Sequence, residues 1–354
     1  MSAVSDYAFI NANLRGKLSQ ILSLDFLLDS ATAKDLYTLL ANLKDTPFDY
    51  LADIYHRTAD IKSCEKALKD QELQLIKYLY KNSPKGAKNF AFALASKYEI
   101  ENIKQIIRLW FDLMVRGRSI DKITPYLNRE TVLHTILVDP ILNAQAASEV
   151  VKLFSLTPYY EIFKNHFEEA VSDKTLYNFE TQLDRHYYSI LVDSLSTLNV
   201  QDKKIATKYV GTLIDIENLN QIVRLSYYFK FSKEQIVNQI IQGGNILNQT
   251  AVKKITSQDE LEAIEILKSY YGKYLEDLSA SNSKDYLFSA LLKIQTISLT
   301  MLEEMAFKAL TSEPFSIGVM IAYLIKKTLE LRRIATLINA KYYNIPYAQL
   351  KELL

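Results

Sequence analysis

Three acidic residues recur at a nearly constant spacing. Glu99 and Asp215 lie 116 positions apart, and Asp215 and Glu330 lie 115 positions apart. Each acid falls among apolar residues at helical spacing, so on a helix its carboxylate would lie within the apolar stripe. An unpaired carboxylate is costly to bury. The pattern therefore indicates either a shared structural ion pair or helix cap, or a functional ring of three carboxylates that face a common axis.

Other residue types that could do chemistry are not arranged in recognised patterns. The four histidines, His56, His134, His166 and His186, have no further His, Cys or carboxylate at a metal-binding spacing. We interpret them as surface or capping residues and expect no metal site. The sequence holds neither a G-x-x-x-x-G-K-[ST] phosphate loop nor a G-x-G-x-x-G motif. We therefore expect no cofactor and no direct nucleotide binding, and we favour a scaffold over an enzyme.

The elements that carry the three acids are near-copies of one amphipathic helix. Of twelve positions compared from Glu99 and from Asp215 onward, seven are identical. The identical pairs are Ile100/Ile216, Glu101/Glu217, Asn102/Asn218, Gln105/Gln221, Ile106/Ile222, Arg108/Arg224 and Leu109/Leu225. The third copy keeps Glu330 and its apolar positions, but Arg332 and Arg333 replace the glutamate–asparagine pair. In the first copy, the predicted apolar face consists of Ile100, Ile103, Ile106, Ile107 and Trp110.

A second marker repeats with a similar period. Thr46-Pro47-Phe48 aligns with Thr157-Pro158-Tyr159, and more loosely with Ser269-Tyr270-Tyr271. A period near 115 residues is too long for a solenoid repeat and fits a small domain. The sequence therefore predicts an all-α protein of three tandem homologous helical domains. The predicted domains span residues 1–124, 125–243 and 244–354.

The composition agrees with a helical, soluble protein. Among 354 residues there are only 8 glycines and 7 prolines, which indicates helices joined by short loops. The net charge of +1 gives no reason to expect nucleic-acid binding.

A single cysteine, Cys64, cannot form an internal disulfide and fits a reducing compartment. The apolar run at residues 317–325 is about half of what a membrane span needs, and the first residues lack an apolar signal core. We expect a cytoplasmic location.

Four stretches in order resemble one protein family, the C subunit of the archaeal and bacterial V/A-type rotary ATPases, which the vacuolar enzymes call their d subunit. The first stretch is residues 7–22, where Tyr7, Phe9, Asn11, Ala12, Leu14, Arg15, Ser19 and Leu22 fit the pattern of the family. Asn13 stands where that pattern has an arginine, and Gly16 replaces an alanine. The others are the Glu99–Arg108 helix, the Phe179–Tyr188 element with Glu180, Leu183 and Asp184, and the segment from Tyr323 to Pro346.

The resemblance covers essentially the whole chain and implies an architecture and a role. It implies three similar helical domains around a pseudo-threefold axis, which form a funnel. The funnel is implied to sit on the cytoplasmic end of the membrane rotor ring of proteolipid subunits and to receive the central-stalk shaft. The chain would then perform no chemistry. It would transmit torque between the ATP-hydrolysing head and the ring that transports protons or sodium ions.

Eight polar positions are candidates for partner contacts or for symmetric structural roles: Arg15, Glu99, Arg108, Asp215, Arg224, Glu330, Arg332 and Arg333. Arg332 and Arg333 break the threefold pattern, which indicates either one domain specialised for an asymmetric partner or pairing with neighbouring acids. Two other functions stay open. The chain could be a helical adaptor of another complex, or a helical enzyme whose site is built from the three matched acids.

Overall fold

Helices form all the regular structure in the part of the chain that the computed structural model describes, which is residues 3–227, 231–256, 269–272 and 285–353. No strand occurs within these ranges, so the all-α prediction is confirmed. The α-helices are α1 (Ala3–Leu18), α2 (Leu24–Ala31), α3 (Leu36–Asn42), α4 (Tyr50–Thr58), α5 (Ile61–Asn82), α6 (Lys88–Met114), α7 (Val138–Asn143), α8 (Ala147–Leu153), α9 (Tyr160–Ser172), α10 (Tyr177–Ser194), α11 (Val200–Tyr227), α12 (Lys233–Gln239), α13 (Gln249–Thr256), α14 (Asp285–Leu310), α15 (Gly318–Tyr342) and α16 (Tyr347–Leu353).

The chain divides into two compact units. One unit combines residues 1–42 with residues 198–354, and the other contains residues 43–197. The domain boundaries predicted after residues 124 and 243 fall inside these units, so the division into three domains stays a prediction. The first unit is assembled from two distant parts of the sequence, because α1, α2 and α3 pack against α15.

In the unit of residues 43–197, the long helix α6 packs against α5, α7 and α10. An aromatic cluster fills the core beside it. Phe154 stacks on Phe163 with ring centroids 3.7 Å apart, and Trp110 lies 5.4 Å from Phe167. The indole nitrogen of Trp110 donates to the carbonyl oxygen of Ala144 at 2.9 Å, so its polar atom is satisfied within the core.

The other unit is organised around α15. This helix contacts α1, α2, α3, α11, α14 and α16. Because neighbours surround it, its apolar run is buried from Ile317 to Ile325. A helix that is apolar on all sides is typical of the core of a large protein. No helix in the described ranges combines the length and the apolar character needed to cross a bilayer.

Local sequence signals are found where they were predicted. On α6, the five residues of the predicted apolar face, from Ile100 to Trp110, are each at most 1% exposed. The predicted buried stripe is therefore confirmed. Cys64 is buried on α5, and burial raises the pKa of its thiol to about 11, as expected for an unreactive core cysteine.

Candidate functional site

Glu99 lies on α6 with 1% of its surface exposed. Its Oε2 atom accepts hydrogen bonds from the backbone nitrogens of Leu133 and His134, at 2.7 and 2.6 Å. Its Oε1 atom accepts a hydrogen bond from the Tyr159 hydroxyl at 2.9 Å and lies 2.7 Å from His134 Nδ1. Burial, reinforced by the charge of Glu99, raises the pKa of Tyr159 well above its usual range. Both oxygens of the carboxylate are therefore satisfied by groups inside one unit.

Asp215 occupies the matching position on α11 and is fully buried. Its Oδ1 atom accepts from the backbone nitrogen of Leu247 at 2.8 Å, and both carboxylate oxygens lie within 3.1 Å of the backbone nitrogen of Ile246. Burial raises the pKa of Asp215 because desolvation outweighs the backbone hydrogen bonds that favour the charged form.

The pair Gly243-Gly244 makes this approach possible. Gly243 has a φ of 101°, a conformation that favours glycine. A Cβ atom on Gly244 would lie 2.4 Å from Oδ1 of Asp215, so a larger residue would collide with the carboxylate. The only Gly-Gly in the sequence is therefore explained by one backbone angle and one close contact.

Glu330 occupies the third matching position, on α15, and is 2% exposed. Its Oε1 atom accepts from the backbone nitrogen of Leu22 at 2.7 Å. Its Oε2 atom pairs with the ammonium of Lys327 at 2.7 Å, and this lysine side chain is only 10% exposed. The third carboxylate therefore uses one backbone donor and one buried cation.

The three acids share one geometry. Each accepts a backbone N–H from a segment that lies a few residues before a short helix: α7 for Glu99, α13 for Asp215 and α2 for Glu330. Glu330 forms an ion pair with Lys327, as one form of the structural alternative has it, but the backbone donors to the three acids lie before the short helices and not in their first turns, so these contacts are not helix caps. The choice between a structural role and a functional ring stays a prediction. For Glu330 the donor is Leu22, so this bond is one of the contacts between residues 1–42 and residues 198–354, which form one unit.

The asparagines that follow Glu99 and Asp215 by three positions also form hydrogen bonds with backbone groups. Asn218 is fully buried, and its amide both donates to the carbonyl oxygen and accepts from the nitrogen of Ile241, each at 2.9 Å. Asn102, its counterpart on α6, donates to the carbonyl oxygen of Asn128 at 3.2 Å. The Oδ1 atom of Asn102 has no hydrogen-bond partner in the described part of the chain. The same residue type thus makes a two-way contact in one copy and a one-way contact in the other.

Two sequence motifs meet where α6 packs on α10. Arg108 forms a bidentate contact with Glu180, with distances of 2.6 and 2.7 Å. One turn away, Lys104 pairs with Asp184 at 2.6 Å and with Glu101 at 3.1 Å. Burial alone would lower the pKa of Lys104, but these two carboxylates raise it above its ordinary value. The motif around Glu180 and Asp184 therefore provides the acidic partners of the repeated helix.

A further buried carboxylate, Asp202 on α11, was missed by the sequence reasoning. It is 2% exposed and accepts from the Tyr7 hydroxyl at 2.7 Å. Its other oxygen accepts from the backbone nitrogen of Ile317 at 2.8 Å, at the start of α15. The backbone nitrogen of Asp202 donates to Asn199 Oδ1, an Asn-x-x-Asp capping arrangement that could have drawn attention to it.

One face of α1 carries polar residues that contact α11 and the segment just before α15. Asn11 is 5% exposed, and its Nδ2 atom donates to the carbonyl oxygen of Pro314 at 2.6 Å. Arg15 donates from Nε to Asn11 Oδ1 at 2.8 Å and so holds that amide in place. Tyr7, Asn11 and Arg15 follow one another at four-residue spacing, which puts them on one face of the helix.

The remaining candidate arginines differ in their surroundings. Arg333 donates to Glu303 Oε1 at 2.6 Å. For this arginine the structure therefore contains the predicted pairing with a neighbouring acid. The side chains of Arg15, Arg224 and Arg332 are exposed. Contact between any of these residues and another protein of a complex stays a prediction. Across the described ranges, no three His, Cys, Asp or Glu side chains are grouped so that they could hold a metal ion.

Comparisons with known proteins agree with the motifs that these contacts explain. The family model of the ATP synthase (C/AC39) subunit matches residues 10–353. The C subunit of the A-type ATP synthase of Methanocaldococcus jannaschii is 24% identical over 356 residues, covering 99% of this chain and 86% of that protein. The corresponding protein of Pyrococcus abyssi is 22% identical, covering 98% of this chain and 90% of that protein. The chain therefore belongs to the ATP synthase (C/AC39) subunit family.

Proposed function

We propose that this chain is a non-catalytic coupling subunit of an A/V-type ATP synthase. It acts as a socket on the cytoplasmic face of the membrane, where it links the central rotor shaft to the ring of proteolipid subunits. Through this link it transmits the torque that couples ATP turnover to proton or sodium transport. Membership of the family and the names of the similar archaeal proteins support an assignment to this complex.

The observation that carries the coupling role is the threefold recurrence of a buried carboxylate bonded to backbone. A coupler must resist deformation, because any slack between shaft and ring would lose rotation. Glu99, Asp215 and Glu330 each tie a long helix to the segment that enters a neighbouring short helix. Fully satisfied buried polar contacts rigidify a core, and close-packed interiors transmit strain. The contacts are therefore suited to carrying load.

The proposal includes three homologous domains, at residues 1–124, 125–243 and 244–354, around a pseudo-threefold axis that forms a funnel. Matched contacts of the three acids support the repeat. In this arrangement the packed helices would form the wall of the funnel. The exposed arginines Arg15, Arg224 and Arg332 would be available to partner subunits.

The test is capture of both partners by the purified chain. Size-exclusion runs without nucleotide would combine the chain with the detergent-solubilised ring and, separately, with the shaft subunits. Co-elution with both is expected, and runs of each partner with an unrelated helical protein give the baseline. Co-elution with neither, by a chain of full helical content, would contradict the socket. Saturable ATP hydrolysis by the chain alone would instead favour the helical enzyme built on the three acids.

A further inference from the structure

A groove of about 450 Å³ lies between α11 and α14 in the unit that combines residues 1–42 and 198–354. Three lysines line it, Lys204 and Lys208 from α11 and Lys308 from α14. None of the three matched acids lines this groove, although Pro314, whose carbonyl oxygen accepts from Asn11, does.

The lysines give the groove an unbalanced positive charge. Lys204 and Lys208 lie one helical turn apart, and both are exposed. Neither forms an ion pair with any carboxylate in the described ranges. Like charges at this spacing disfavour the helix, so the pair is not explained by helix stability. Lys308 has one carboxylate near it, Glu304 at 3.5 Å.

The buried residues of the groove lining are apolar, and we call them its floor. Ile205, Met305 and Ala309 line it and are 7%, 6% and 2% exposed. A free phosphate or another small anion would gain nothing from this floor. An amphipathic segment would cover the floor with an apolar side chain while its acidic groups reach the lysines. Glu313 also lines the groove, where it would repel a polyanion but would suit a protein segment that carries a basic residue beside it.

We propose that this groove docks an acidic, amphipathic segment of another protein of the same complex. Two carboxylates one turn apart face Lys204 and Lys208, a third group reaches Lys308, and an apolar side chain rests on Ile205 and Met305. The proposal rests on the proposed function only in that the partner belongs to the same complex.

The first experiment compares two variants of the full chain. Lys204→Glu combined with Lys208→Glu reverses the charge of the groove. Lys203→Glu reverses a single charge at an exposed position on the same helix outside the lining. Binding of each to the purified shaft subunits and to the solubilised ring would be measured at low and high salt. Helical content and melting temperature show that each variant is folded.

If the groove docks an acidic segment, the double variant should lose about tenfold or more in affinity for one partner. Lys203→Glu should change that affinity by less than about twofold. The binding of the wild-type chain to that partner should weaken with salt. Equal affinities of the wild-type chain and the double variant would contradict docking in the groove but not the proposed socket function. Failure of the wild-type chain to bind either partner would overturn both.

A second experiment identifies the occupant. The photo-crosslinking amino acid p-benzoylphenylalanine replaces Thr311, an uncharged residue of the groove, in the assembled complex. Mass spectrometry should find a crosslinked peptide with at least two acidic residues beside an apolar one. Crosslinks to a neutral or basic peptide would overturn the proposal. Binding of inorganic pyrophosphate or of anionic-lipid vesicles that requires Lys204 and Lys208 would overturn it as well.

Discussion

The Glu330 carboxylate accepts a hydrogen bond from the backbone nitrogen of Leu22 at 2.7 Å, across 308 positions of the sequence. Its other oxygen is occupied by Lys327. The same kind of contact is made within shorter segments by Glu99, 34 positions from Leu133, and by Asp215, 32 positions from Leu247. One side-chain role is therefore kept although its partner segment comes from very different places in the chain.

Removing this third carboxylate should strongly destabilise the unit that contains it. Glu330→Ala leaves the buried Lys327 without this partner and the Leu22 N–H without its acceptor, and breaking a buried pair on one side costs about 3–5 kcal/mol. Urea unfolding of the intact chain measures the change. Glu303→Ala breaks the more exposed pair with Arg333 on the adjacent helix and should cost about 1 kcal/mol or less. Equal costs for the two variants would contradict the buried role of Glu330.

The two equivalent asparagines should contribute unequally to stability. Asn218→Ala leaves both the N–H and the carbonyl of Ile241 without this partner, and each unsatisfied buried group costs about 1–3 kcal/mol. Asn102→Ala removes a single contact at 3.2 Å and should cost about 1 kcal/mol. Thermal unfolding measures both variants. Hydrogen exchange at the Ile241 amide should accelerate only in Asn218→Ala, and unchanged exchange there would contradict the assignment.

Ionisation of Asp215 should lower the stability of the folded chain, so that stability rises as this carboxylate is protonated. Its pKa in the folded chain is raised by burial above the value of about 3.9 in the unfolded chain. Between these two values the folded state binds more protons, so the contribution of Asp215 to the free energy of unfolding increases as pH falls. The stability of the wild-type chain relative to Asp215→Asn should therefore rise from pH 7 toward pH 4.

Asp35 provides a control of opposite sign for this experiment. Its pKa is lowered, chiefly by the hydrogen bond from the backbone nitrogen of Thr38. Its contribution is therefore present above its unfolded pKa and is lost as pH falls toward its folded pKa. The wild-type chain compared with Asp35→Asn should lose relative stability on acidification. The same slope for both residues would refute the assigned pKa directions.

Gly244 should not tolerate a methyl group. Gly244→Ala would put a Cβ atom 2.4 Å from Asp215 Oδ1, and overpacking of this kind costs about 1–3 kcal/mol. Gly86→Ala is the matched control, because no atom lies within 4 Å of its Cβ position, and it should change stability by about 0.5 kcal/mol or less. Differential scanning calorimetry compares the two. A Gly244→Ala chain as stable as the Gly86→Ala chain would show that the loop between α12 and α13 adapts.

Residue types and their spacing were enough to predict the helices, the repeat and the need for partners at the three acids. Helical periodicity is local, so the buried face of α6 from Ile100 to Trp110 follows directly from residue spacing. The position of Glu99 within that face was enough to conclude that its carboxylate must be satisfied. The pairing of Arg108 with Glu180, by contrast, joins two motifs whose proximity the sequence did not reveal.

The groups that satisfy the acids became known only from the packing of the helices. Their principal partners are backbone N–H groups, which every residue except proline carries, so nothing in the residue types of positions 22, 133 or 247 marks them as donors. Asp202 likewise bonds the backbone of Ile317, and its distance in sequence from Tyr7 and Ile317 hid both contacts. The two-unit division depends on such distant contacts. Packing brings residue 22 to residue 330, and no local pattern records that approach.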